Sequence, residues 1–211
     1  MDEKLMAIMG SSSLPPTRGH IDLIGGLRRD RRFKRILWCI AGPRPEDKPM
    51  MPDYNPIHLE NMGHLAIPRN WYITGPEVGV VSQAAYNEVD TRAWLLFQRM
   101  EALYPTANLV DVIGSDYLRK APDNRLLLEH WEKWDTELLN RRFFIVPRSG
   151  YPQPGEVVLP PNCEWLNIYP RNVSSSRVRQ MIAEGNPLWE TLVPPLVAAY
   201  IKAYRLFGYH E

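Results

Sequence analysis

Two stretches of this 211-residue chain carry side chains suited to holding phosphate. The first is Gly10-Ser11-Ser12-Ser13-Leu14-Pro15-Pro16-Thr17-Arg18-Gly19-His20, which follows a short apolar run and leads into a helical pattern. Small residues such as Gly10 and Gly19 let backbone approach an anion. Hydroxyls such as Ser11 can donate to it, and the free amides of a helix start favour negative charge. His20 sits one turn into that helix, where a ring N–H reaches the same anion. No G-K-[ST] follows, and there is no G-x-G-x-x-G, so the loop is neither a P-loop nor a dinucleotide fingerprint. The second stretch is Arg171-Asn172-Val173-Ser174-Ser175-Ser176-Arg177-Val178-Arg179. Ser174, Ser175 and Ser176 would cap a helix and offer donors to a second anion. Arg179, one turn further in, has the fork geometry for phosphate oxygens. Taken singly, each stretch is equally a capped helix with a packed histidine or solvated arginines. The pair suggests two anionic groups held side by side.

The elements that would position these loops alternate between strand and helix patterns. Leu5–Met9 reads as a buried strand, a helix starts at Thr17, and Arg35–Ala41 contains a second buried strand. The basic tail Arg28–Arg35 reads as cations at a helix C-terminus rather than as a nucleic-acid patch. After the proline-rich loop Gly42–Pro56 comes a helix over His58–Ala66, with short strand candidates at Trp71–Thr74 and Val78–Val81. A helix over Glu88–Tyr104 precedes a strand at Asn108–Ile113 that runs into Gly114-Ser115-Asp116. His130–Leu139 reads as helix, Arg142–Val146 as strand, Trp165–Tyr169 as a last strand, and Ser174–Ala183 and Leu188–Leu206 as closing helices. Strands separated by helices call for right-handed crossovers and parallel pairing. The expected fold is therefore α/β: a Rossmann-like, doubly wound, mostly parallel sheet with helices on both faces. Residues 1–170 would form its core and 171–211 a small C-terminal helical part carrying the serine motif, as a single unit. In such sheets ligands bind beyond the carboxyl ends of the strands, at the switch in strand order.

Composition narrows the function classes. Hydrophobic residues make up 45% and charged residues 23%, which excludes a disordered or collagen-like chain. A net charge of +1 removes bulk attraction to nucleic acid or an anionic membrane. No apolar run is long enough to span a bilayer, and the opening MDEKLMAIMG has no signal-peptide character, so no membrane association is expected. Cys39 and Cys163 lack C-x-x-C spacing, consistent with a reducing, cytoplasmic setting. His58, His64, His130 and His210 show no metal-ligand pattern, and no protein-held metal site is expected. Proline, 20 of 211 residues against a usual share of roughly 5%, implies rigid loops between elements.

Taken together, GSSSLPPTRGH and VSSSRVR resemble the G-[GS]-[ST]-F-[DN]-P-x-[HT]-x-G-H and I-S-S-T-x-I-R motifs of the HxGH-type nucleotidyltransferases. Features between them are similar to the nicotinate and nicotinamide mononucleotide adenylyltransferases: Asp116 in IGSDYL, Trp131 and Trp134 in HWEKWDTELL, and Arg148 in FFIVPRSGY. Lys48 in EDKPMMPDYNP, Asp90-Thr91, and the closing LVPPLVAAYIKAYRLF complete the series. The chain departs from the pattern at Ser13, where phenylalanine is usual, at Leu14, where Asp or Asn is usual, and at Thr17, the first histidine of H-x-G-H. The resemblance implies in-line attack of a mononucleotide 5′-phosphate on the α-phosphorus of ATP, with pyrophosphate leaving. His20, Thr17 and Arg179 would be catalytic, and Gly10, Ser11, Gly19, Ser174, Ser175, Ser176 and Lys48 would hold ATP phosphates. Asp116, Trp131, Arg148 and Thr91 would hold the mononucleotide, and Mg²⁺ would enter on the ATP phosphates. Alternatives of other kinds stay open here: transfer to a different phosphate monoester, as in T-x-G-H branches, or a catalytically impaired nucleotide-binding protein. The choice between nicotinate and nicotinamide, and the oligomeric state, are not readable from the sequence.

Overall fold

In the computed structural model, which describes residues 4–40, 55–82 and 93–210, the apolar runs become strands because both faces of the sheet are covered. In chain order the elements are β1 (Leu5–Ser11), α1 (Arg18–Arg29), β2 (Phe33–Ile40), α2 (Pro56–Ala66), β3 (Glu77–Ser82), α3 (Ala93–Leu103) and β4 (Asn108–Gly114). They continue with β5 (Phe143–Val146), β6 (Cys163–Trp165), α4 (Ser175–Ala183) and α5 (Pro195–Tyr204). Strand order is β3-β2-β1-β4-β5-β6, and every ladder between them is parallel. The order reverses between β1 and β4, the position beyond whose strand ends ligands bind in sheets of this kind.

Alternation along the strands divides the core in two. Leu5, Ala7 and Met9 of β1, with Ile36, Trp38 and Ile40 of β2, face α1 and α2 on one side. Val178, Met181, Val197 and Ile201 belong to that same core, with α5 lying against α2. Met6, Ile8, Leu37 and Cys39 face the other way, toward Leu96, Phe97 and Met100 of α3. Among the described residues no helix is long and apolar enough to cross a membrane.

Four expectations about local structure are corrected. Trp71–Thr74 is not a strand: Arg69–Tyr72 forms a 3₁₀ turn after Pro68, held where the Arg28 guanidinium lies 4.8 Å from the Trp71 ring centre. His130–Leu139 is not an α-helix. Trp131 is extended and Lys133 has φ +62°, so the segment runs as turns with a short 3₁₀ piece at Leu138–Asn140. The last strand lies at Cys163–Trp165, ahead of the expected Trp165–Tyr169, because pairing to β5 ends at Trp165. Leu188–Leu206 divides at Pro194, which cannot continue a helix from Leu192, leaving a 3₁₀ turn at Pro187–Leu192 and then α5. Of the basic tail, Arg28 and Arg29 end α1. Beyond it Arg32 bridges Asp30 and Glu164, and Arg35 pairs with Glu77.

Candidate active site

β1 delivers Gly10 and Ser11 to the switch point, and the loop then turns into α1, whose N-cap is Thr17. The imidazole of His20 takes the place a glutamate holds in a capping box: Thr17 N–H donates to its Nδ1 at 3.0 Å. The Thr17 hydroxyl lies between that nitrogen, 2.9 Å away, and the carbonyl oxygen of Val173, 3.4 Å away. With Nδ1 accepting, the proton of the neutral ring sits on Nε2, which lies 3.1 Å from Ser11 Oγ. The Thr17 main-chain N–H thus fixes the orientation of the ring, with the Thr17 hydroxyl beside it. His20 also stacks on Trp38 of β2, with ring centres 5.8 Å apart.

The second stretch closes onto the first. The Ser174 hydroxyl caps α4 by accepting from Arg177 N–H at 3.1 Å. Ser175 Oγ donates to the Pro15 carbonyl at 2.8 Å, and Arg179 Nη1 donates to the Leu14 carbonyl at 2.6 Å. The loop that lacks an acidic or amide side chain at Leu14 is therefore tied down through its backbone. Arg179 is partly buried, and that burial lowers its pKa from the ordinary arginine value. Its Nη2 reaches Ser176 Oγ at 3.3 Å, which leaves guanidinium N–H groups available beside the first-turn amides of α4. Gly19 makes the approach sterically feasible, since a Cβ there would stand 2.6 Å from the Arg171 carbonyl oxygen. Arg171 in turn clamps Asp22 of α1 through Nε at 2.6 Å and Nη2 at 2.8 Å, and this hydrogen bonding holds the Asp22 carboxyl below its usual range.

Across the switch point, β4 ends at Gly114, and Asp116 follows in a 3₁₀ turn. Arg148, just beyond β5, has Nη1 3.1 Å from Asp116 Oδ1, and its N–H donates to Ser115 Oγ at 3.0 Å. A side chain at Gly114 would collide with both Asp116 and Arg148. Trp131 stands half-buried, its ring centre 4.8 Å from Tyr117 in an edge-to-face pair and 6.2 Å from Phe143. Trp134, the other tryptophan of that segment, is core, at 3% exposure. The folded chain thus brings Ser11, Thr17, Gly19, His20, Ser175, Ser176 and Arg179 together, with Gly10 and Ser174 beside them in sequence. Asp116 and Arg148 form a pair on the neighbouring strand ends. Lys48 and Thr91 lie outside the described residues, as does the helix start expected from Glu88. Among the described residues, no group of three or more His, Cys, Asp or Glu side chains could hold a metal. Both cysteines are free, and burial pushes each thiol up to about 12.

Sequence reasoning missed three participants. Trp38 sits in an apolar run and reads as core, Asp22 reads as a solvated helix face, and Ser13 is marked only as a departure from the motif, without a partner. The position of Asp22 one turn past Arg18 was the only available hint.

No protein-family profile matches the chain. Curated relatives do, over nearly all of it. A protein of Gloeobacter violaceus is 28% identical across 98% of this chain and 97% of its own length. One of Chloroherpeton thalassium is 24% identical across 97% and 98%. Both carry the name "Probable nicotinate-nucleotide adenylyltransferase". The chain is similar to these adenylyltransferases over nearly its whole length. Solved structures share the fold: nicotinic acid mononucleotide adenylyltransferase of Plasmodium falciparum, complexed with NaAD, superposes with a TM-score of 0.77 at 20% identity over 99% of both chains. A second structure of that enzyme, complexed with APC, gives 0.77 at 21% identity, with the same coverage.

Proposed function

We propose that the protein joins ATP to nicotinate mononucleotide, releasing pyrophosphate and forming the deamido dinucleotide. The observation that carries this reading is the meeting of two helix N-termini, α1 with His20 and α4 with Arg179, over the carboxyl ends of β1 and β4. Phosphoryl transfer between two polyanions needs positioning and charge neutralisation more than covalent chemistry. The attacking 5′-phosphate is its own nucleophile, so no general base is required. His20 Nε2–H donates to the α-phosphoryl oxygens, where negative charge grows during in-line displacement. Arg179 and the α4 amides hold the β- and γ-phosphates and stabilise departing pyrophosphate. Arg148, oriented by Asp116, takes the mononucleotide phosphate, and the exposed part of Trp131 offers a surface for the pyridine ring. Lys48 and Thr91 are further candidates for ATP and mononucleotide contacts.

Hydroxyls, an imidazole and guanidiniums make up the donor set around the phosphate loops, a set that grips phosphate oxygens rather than metal. Mg²⁺ accordingly belongs to the nucleotide, lowering the charge of ATP when it binds. The choice of nicotinate over nicotinamide is supported by the relatives' names, and a cytoplasmic setting by two unpaired cysteines.

The test is His20→Ala assayed with MgATP and nicotinate mononucleotide. Loss of such a donor lowers turnover by about two to three orders of magnitude, while the KM for ATP, set largely by Arg179 and the α4 amides, changes much less. Turnover above a tenth of the unaltered enzyme would remove His20 from the mechanism.

A further inference from the structure

We infer that Trp38 and Ser13 are positioning residues that fix the direction of the hydrogen bond entering Ser11, turning the Ser11 hydroxyl into a donor toward the α-phosphate. The inference rests on the reading of His20 as a phosphoryl donor. The indole of Trp38 can only donate, and its Nε1–H does so to Ser13 Oγ at 3.1 Å. Ser13 is 1% exposed, and its own proton goes to Ser11 Oγ at 2.8 Å. From the other side, Thr17 N–H occupies His20 Nδ1, so the ring proton lies on Nε2 and points to Ser11 Oγ at 3.1 Å. Ser11 Oγ therefore accepts twice, which uses both lone pairs. Its own proton has no acceptor among the described residues and is placed to serve an incoming group. A phosphoryl oxygen entering at the end of β1 then meets the Ser11 O–H as a donor of fixed sense, beside a His20 Nε2–H that must turn from Ser11 Oγ to the phosphate or be shared between them.

The device belongs to this chain's departures from the motif it resembles. Ser13 stands where phenylalanine is usual, and a phenylalanine there could neither accept from Trp38 nor donate to Ser11. Ser13 holds φ at +34°, a backbone region that L side chains rarely adopt and glycine tolerates. A residue held there despite that cost is constrained by its contacts, and the Ser13 hydroxyl makes the two hydrogen bonds of the relay.

The positive φ also supplies a clean test. Ser13→Gly removes the hydroxyl without straining the backbone, and Trp38→Phe removes the indole N–H while keeping an aromatic ring against His20. Steady-state kinetics of both variants, of the double variant and of His20→Ala are compared on the folded proteins, with melting temperature as the check of folding. Each single variant is expected to lower kcat about three- to tenfold, the effect of one neutral hydrogen bond, with both KM values within about twofold. Because the two residues act through one chain, the double variant should be no slower than the slower single. Normal kcat in both single variants beside an inactive His20→Ala overturns the relay and leaves the role of His20 intact. Effects that multiply in the double variant also overturn it, since independent packing losses would behave that way. An active His20→Ala removes the underlying reading, and the relay with it.

Discussion

Arg148 illustrates how little of a side chain's role is fixed by its type. A loop cation is usually solvated, yet this one is pinned at both ends, by Asp116 3.1 Å from its Nη1 and by Ser115 accepting from its N–H. Held in that way it presents its remaining donors without first losing rotamer freedom. Replacing it with alanine should raise the KM for the mononucleotide by about ten- to a hundredfold, the worth of a hydrogen bond to a charged group, with the KM for ATP nearly unchanged. Initial-rate kinetics with each substrate varied in turn would show this, and an equal rise in both KM values would contradict the assignment. At this scale the placement of chemistry-bearing types was readable: His20 and Arg179 come early in α1 and α4, and Asp116 and Arg148 follow β4 and β5. It was unreadable where the partner was a core residue. Trp38 has 0% exposure and lies among Leu37, Cys39 and Ile40, so nothing in its neighbourhood marks its indole N–H as engaged.

Between elements, the account depends on α1 and the segment preceding α4 being in contact. Gly19→Ala forces a Cβ to 2.6 Å from the Arg171 carbonyl oxygen, a main-chain atom that cannot swing away. Overpacking of this kind costs about 1–3 kcal/mol and pushes Arg179 away from His20, so both melting temperature and kcat should fall. The Asp22–Arg171 clamp across the same contact gives a pH signature. The hydrogen bond from Arg171 holds its carboxyl below the ordinary carboxylate range, so its contribution is present at neutral pH and fades as pH falls through the acid range. Side chains 30% and 55% exposed limit that contribution to under about 1 kcal/mol. Asp22→Asn should flatten the acid limb of the stability profile by that small amount and leave stability at pH 7 lower. The elements themselves were legible where burial is two-sided, as in β1, β2, β4 and β5, because such strands must be continuously apolar. They were not legible at the margins. β6 reads Cys-Glu-Trp with Glu164 engaged by Arg32 and Arg142, a pattern without an apolar run. The turns around Trp131–Leu138 place Trp134 and Leu138 four residues apart in the core, which imitates helical spacing without a helix.

For the molecule as a whole, one buried group is out of keeping with the rest. Asp111 lies in the middle of β4, 5% exposed, facing the α3 side with Cys39 close enough for its charge to act on the thiol. Burial raises its pKa well above the ordinary value, opposed by the charge of Arg141. A folded pKa above the unfolded one means the native state binds the extra proton. Stability therefore falls as pH rises from the ordinary carboxylate range toward the raised value. Asp111→Asn should accordingly raise the melting temperature at pH 8 by a few degrees, on the order of 1–2 kcal/mol, and change it little at pH 4. Calorimetry at the two pH values checks the sign, and a larger gain at pH 4 would contradict it. Proline abundance has a partial explanation at this scale. Pro15 lies within the first phosphate loop and offers its carbonyl to Ser175, while Pro194 and Pro195 only end one turn and start α5.

The central claim is adenylyl transfer at the paired helix starts, and the most direct measurement follows both products at once. Purified protein is supplied with MgATP and nicotinate mononucleotide, with nicotinamide mononucleotide and other phosphate monoesters as parallel substrates. Pyrophosphate and dinucleotide should appear in equal amounts, fastest with nicotinate mononucleotide. Nucleotide binding by calorimetry with no pyrophosphate released from any acceptor would contradict it.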